Sequence, residues 1–337
     1  MSCLIFNLKE GKNMPLSQTY LQPGFFKQST RNHNWLNQQD INRLINSITD
    51  PYTASIAILI NAEAGDLAGY KQALDQLFYH LNNLNQNPDA YPTWQRNSSF
   101  QLWMAGRAFS AAMTMQDIET IRKTKIKLLE LKEKLNKTTT EEKITSQENL
   151  AFTTWGTIYF CIFDAKEYKA FSDEITSNTD RLVEIYIKSK THQTLSDALW
   201  GLILNLLAAA SNNDPKKYEL IKKKITDLTS TVSVDQALQE NLLVTKESND
   251  FPAWGCGLVC FAAARNGDYP LYKKMHETID EIYKNASRED YWLGAFNMQK
   301  AEQVGKQNWP QGKKPEQETK PEQEAKPEQE QILRCKL

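Results

Sequence analysis

The chain has 337 residues, enough for one large domain or two ordinary ones, and its 40 basic and 41 acidic residues leave a net charge of −1. A surface built for a phosphate backbone is visibly basic, so nucleic acid is not the expected partner. Five cysteines (Cys3, Cys161, Cys256, Cys260, Cys335) in so long a chain are no disulfide framework; they point to a reducing compartment, cytoplasmic in the producing cell.

Residues 1–36 show no periodicity, and the opening MSCLIFNLKEGK has too few consecutive apolar residues for a signal-peptide core. No stretch reads as the ~18 apolar residues of a membrane span, so no integral membrane segment is expected. Residues 38–49 (QDINRLINSITD) predict a short flanking helix.

From there the chain repeats itself. Asp-x-x-x-Tyr occurs at Asp66/Tyr70, Asp164/Tyr168, Asp214/Tyr218 and Asp268/Tyr272, with Asp117/Ile121 as a degenerate copy, and the anchors lie 51, 47, 50 and 54 residues apart. Fourteen residues before each anchor stand Tyr52, Trp103, Leu150, Trp200 and Trp254; paired alanines precede three anchors (Ala111–Ala112, Ala208–Ala209, Ala262–Ala263). An Asp that caps a helix N-terminus, preceded twice by Gly (Gly65, Gly267), marks a tight turn between two helices. The Tyr is expected to pack back on the incoming chain. The helix before each turn is apolar on nearly all sides (WGLILNLLAAA) and predicts an inner element; the one after is amphipathic and predicts an outer one. Basic runs such as IRKTKIKLLELKEKL are read as the solvated face of outer helices.

The fold class is therefore all-α, with helical hairpins of about 50 residues over residues 37–305. The array is either a right-handed α-solenoid or a closed α/α toroid. Residues 289–305 form a second flanking helix, which with 38–49 either caps an open array or closes a ring. Beyond residue 306 the period KPEQETKPEQEAKPEQE is polar and rich in Pro, which predicts a disordered tail.

Motifs for phosphate loops, dinucleotide folds, zinc proteases and serine hydrolases are absent. Cys256, Cys260, His276 and Asp280 lie symmetrically about Asp268, but their repeat counterparts are two core and two surface types, so no metal is expected, and no cofactor. The column three residues before each anchor (Glu63, Thr114, Cys161, Ser211, Arg265) is mixed and is read as exposed helix ends, with Glu63 a carboxylate standing alone. Polar residues break otherwise apolar columns at Arg107, Thr154 and Asn205, with Trp155 beside them. An Arg in a core is costly unless paired or lining a groove, so these four are the candidate partner- or ligand-binding residues.

The repeats resemble TPR-like α-solenoids over residues 38–305 in build, which implies a protein-binding function; the TPR period itself is absent. A ring of hairpins is also similar to the α/α toroids of glycosidases and lyases, which implies an enzyme with a central pocket as the alternative. The tail EQETKPEQEAKPEQEQILRCKL resembles the C-terminal translocation signals of Legionella-type type IV secretion effectors, which implies delivery into a host cytosol and a host protein as partner.

Overall fold

The computed structural model describes residues 38–137, 147–231, 250–284 and 292–309. Among these residues there are twelve α-helices and no strands. In chain order they are α1 (Gln38–Asn46), α2 (Pro51–Ala64), α3 (Leu67–Gln86), α4 (Ser98–Met115), α5 (Ile118–Lys137), α6 (Gln147–Phe163), α7 (Ala165–Ser189), α8 (His192–Ser211), α9 (Pro215–Thr231), α10 (Asp250–Asn266), α11 (Tyr269–Lys284) and α12 (Trp292–Asn308). The tail from 310 onward, the N-terminal segment up to residue 37 and the connecting stretches 138–146, 232–249 and 285–291 lie outside the described residues.

Each predicted turn is present. Asp66 and Asp164 accept bonds from backbone N–H groups two and three residues on; Asp117, Asp214 and Asp268 accept one from the third. The N–H of Asp66, Asp117, Asp214 and Asp268 closes back on the carbonyl five residues earlier, which in three cases belongs to the second Ala of a pair. Gly65 and Gly267 enter the turn at φ 69° and 75°, the left-handed region that glycine tolerates without strain. Gln116 and Asn213 adopt the same region at the second and fourth turns.

The tyrosine does something other than predicted. Tyr70, Tyr168 and Tyr218 each donate a hydroxyl bond to the Asp of the following hairpin, at 3.2 Å to Asp117, 3.0 Å to Asp214 and 3.2 Å to Asp268. Burial, followed by the neighbouring carboxylate, pushes all three phenols far above their usual range, so they remain donors. The second hairpin has Ile121 in place of Tyr, and Lys125, four residues further on, reaches Asp164 at 2.5 Å instead. The repeated Asp is thus a helix cap and also the acceptor that couples each hairpin to the one before it.

The apolar helices α2, α4, α6, α8, α10 and α12 form the inner layer, and each packs on the next. Helix α12 packs on α10 and also on α2, so the order of contacts returns to its start. At that last contact the buried Lys300 ammonium bonds Glu63. The C-terminal flanking segment is therefore a sixth inner helix, while α1 packs on α2 and α3. Two inner contacts are exceptionally close. A Cβ on Gly106 would lie 2.8 Å from the carbonyl of Gly156, and one on Gly257 would lie 2.6 Å from that of Gly294.

Several expectations need correction. The basic runs are not merely solvated: Lys132 is buried and bonds Glu174, and Lys217 and Lys224 reach Asp173 and Asp180 on α7, so they join neighbouring outer helices. The column read as exposed helix ends holds fully buried Cys161 and Ser211. Glu63, in the same column, is largely buried against the Lys300 ammonium rather than exposed. The helical region runs past residue 305 to Asn308, whose side-chain amide donates to the carbonyl of Ala264; Trp309 packs on Tyr269 and Tyr272, ring centroids 5.1 Å away in each case. Finally, Gln193–Ser211 is long and apolar enough to cross a membrane, with a mean hydropathy of 1.3; here 94% of that stretch is buried as a core helix.

Candidate functional site

The inner helices run parallel, so their N-terminal halves share one end, away from the Asp turns. At that end an aromatic layer is assembled. Tyr52 and Trp103 lie 5.7 Å apart, Trp103 and Trp155 5.0 Å, and Trp200 and Trp254 5.0 Å. Phe152 stacks flat on Trp103 at 5.0 Å.

A small cavity of about 10 Å³ lies against this layer, lined by Trp103, Arg107, Trp155, Tyr159, Trp200 and Leu204. These are three pairs four residues apart, one Trp and the residue a turn further on from each of α4, α6 and α8. Trp155 is therefore the third copy's tryptophan, equivalent to Trp103 and Trp200, and Tyr159 and Leu204 are the counterparts of Arg107. Counting back from the Asp misplaces the third copy because Trp155 stands only nine positions before Asp164, where the tryptophans of the neighbouring copies stand fourteen before theirs. Helix α6 also runs directly into its Asp with no left-handed turn residue.

Arg107 is 2% exposed. Its guanidinium carbon sits 4.1 Å from the ring centroid of Trp103, 5.2 Å from Tyr52 and 5.4 Å from Trp254, the last on an inner helix that is not a neighbour of α4. It thus reaches across the middle of the inner layer. One terminal nitrogen donates to Ser55 Oγ at 2.9 Å, while Nε has no acceptor. Among the described residues no carboxylate lies within ion-pair distance of Arg107. Three aromatic faces and the hydroxyls of Ser55 and Tyr159 offset part of its desolvation. Burial pushes the Tyr159 hydroxyl up in pKa, and the adjacent Arg107 charge acts in the opposite direction.

Of the four candidate residues, the fold brings two to this cavity, Arg107 and Trp155. Thr154 is buried with its hydroxyl bonded to the carbonyl of Leu150 at 2.7 Å, a bond within its own helix. Asn205 is buried next to Leu204, and neither amide atom has a hydrogen-bond partner. Trp155 Nε1 and Trp103 Nε1 are likewise buried without an acceptor.

Sequence reasoning missed Tyr159 and Asp197. Tyr159 stands four residues after a tryptophan, as Arg107 does, and that spacing was a usable signal. Asp197, on α8, is buried and held by Gln147 at 2.5 Å and Gln193 at 2.9 Å. Burial raises its pKa to about 6, against the two amide bonds. It lies seventeen residues before its anchor and Glu63 three before its own, so the two carboxylates are ~21 Å apart along the helix axes at ~1.5 Å per residue. They do not form a catalytic pair.

Among the described residues no group of His, Cys, Asp and Glu could hold a metal ion. Cys256 and Cys260 are buried, and burial pushes the Cys256 thiol up to about 12, so it stays protonated. His276 instead meets Glu302 at 3.3 Å, and the Asp280 side chain lies outside the described residues. No family model, curated protein or solved structure matches the chain.

Proposed function

We propose that this chain is a closed α/α toroid that acts by binding a protein partner on its outer face. Closure is supported by the packing of α12 on α2 and by the Lys300–Glu63 pair between them. The observation that carries the binding reading is an apolar stripe on α5. Ile118, Ile126 and Leu129 recur on one side of that outer helix, and they are 58%, 60% and 39% exposed. Exposed apolar side chains gathered on one face mark interaction sites more often than isolated ones do. Arg122 lies on the same face, between Ile118 and Ile126 at about 3.6 residues per turn, so the complementary surface is apolar with an acidic group to meet it.

The alternative, an enzyme working on a substrate at the ring centre, has the filling of that centre against it: Arg107 and the rings around it leave about 10 Å³. Delivery into a host cell is a separate proposal that rests on the composition of residues past 309 alone. A translocation reporter fused to full-length and tail-deleted chains tests it, and equal delivery of both would dispose of it.

The binding reading is tested with the double variant Ile126→Glu, Leu129→Glu, at two exposed positions of α5. It is expected to melt like the wild type and to lose a partner that the wild type captures, as verified by calorimetry with that partner purified. Equal affinity of both proteins for every captured partner would refute the assignment of α5.

A further inference from the structure

The cavity between α4, α6 and α8 has a one-sided chemistry. Apart from the Tyr159 hydroxyl, the polar side-chain atoms of its lining are hydrogen-bond donors: indole N–H groups and a guanidinium. Three of these donors, Arg107 Nε, Trp103 Nε1 and Trp155 Nε1, are buried and have no acceptor. A buried donor left unsatisfied is rare in a folded protein, and three beside one cavity call for a common acceptor. The guanidinium adds a full positive charge with no carboxylate near it, and an uncompensated buried charge is strongly unfavourable. The volume, about 10 Å³, is about that of a single water-sized occupant.

We propose that this cavity is a binding site for one small monovalent anion of chloride size. Such an ion accepts from several N–H donors at once, offers no hydrogens that would need acceptors, and neutralises Arg107. A water molecule would satisfy some donors but leave the charge. A carboxylate or phosphate ligand is too large for the space. The anion would be a structural component, completing the centre of the inner layer beside Arg107, whose counterpart on α8 is the apolar Leu204. The site lies inside the helical layer, away from the α5 stripe, so it stands or falls independently of the partner reading.

The test uses the full chain and bromide as probe, a heavy relative of chloride that quenches tryptophan fluorescence. Bromide and gluconate salts are compared at matched ionic strength, so that general screening is the same in both. The wild type is expected to show saturable quenching by bromide and a higher thermal midpoint in bromide or chloride than in gluconate, which does not fit the cavity. Trp155→Phe keeps a ring but loses one N–H donor, and about a tenfold weaker bromide affinity is expected, the usual worth of a hydrogen bond to a charged group. Arg107→Leu should abolish both the saturable quenching and the midpoint difference. Should Arg107→Leu fail to fold, Trp155→Phe and an anomalous difference map from bromide-grown crystals decide the matter, with a peak expected within hydrogen-bond reach of Arg107 Nε. Equal midpoints of the wild type in bromide and gluconate, unchanged bromide affinity in Trp155→Phe, or bromide peaks confined to the surface would overturn the proposal.

Discussion

Replacing the turn aspartates one at a time should separate their two roles. Asp66 and Asp214 both cap a helix, and losing a cap costs about 1 kcal/mol. Asp214 also accepts the Tyr168 hydroxyl at 3.0 Å, whereas Asp66, in the first hairpin, receives no tyrosine, and its second carboxylate oxygen has no partner. A hydrogen bond to a charged group contributes about 1.5–3 kcal/mol, and Tyr168, only 7% exposed, would be left with a buried hydroxyl unsatisfied. Asp214→Ala is therefore expected to cost about 3 kcal/mol and Asp66→Ala about 1 kcal/mol. At about 2–4 °C per kcal/mol for a domain of this size, the midpoints fall by about 6–12 °C and 2–4 °C. Denaturant unfolding of both variants, of Tyr168→Phe and of the Tyr168→Phe, Asp214→Ala double variant completes a cycle whose coupling should exceed 1 kcal/mol, roughly. Equal losses in Asp66→Ala and Asp214→Ala, or a coupling near zero, would refute the ladder.

Further outcomes are expected elsewhere. Removing one member of the buried Lys300–Glu63 pair should destabilise by about 3–5 kcal/mol, while Lys300→Met with Glu63→Leu should be near neutral; denaturant titrations of the three variants check this. Gly257→Ala, whose Cβ would meet the Gly294 carbonyl, should cost about 1–3 kcal/mol, whereas Gly201→Ala, 3.4 Å from the nearest atoms, should be neutral or stabilising by up to about 1 kcal/mol in the same assay. Asp197 has its pKa raised by burial to about 6 from 3.8, so its contribution favours the fold below pH 3.8 and is lost as pH rises through about 6. That is about 3 kcal/mol over the window, and Asp197→Asn should flatten the stability–pH curve between those limits. Truncation after Trp309 should leave the melting curve unchanged, while truncation after Gly305 should lower the midpoint by removing the Trp309 contacts with Tyr269 and Tyr272.

The hairpins, their inner and outer helices and the five turn aspartates were legible in the sequence because each rests on local chemistry. Capping, glycine at a left-handed turn position and the periodicity of apolar residues involve groups a few residues apart. The destination of the Tyr hydroxyls was not legible, since a residue 46–50 positions away supplies the acceptor and only the stacking of hairpins brings it near. The same holds for Glu63, whose partner lies 237 residues further along the chain. At the candidate site, the alignment of the repeats singled out Arg107 as an anomaly in an apolar column. Which residues surround it depended on register. The shorter spacing from Trp155 to Asp164 displaces the column of α6 by five residues, so Trp155 joins the tryptophan layer, Tyr159 takes the level of Arg107, and Thr154 falls back on its own helix. Helix packing matches levels in space rather than counts along the chain, and only the tertiary structure could decide which level each residue occupies.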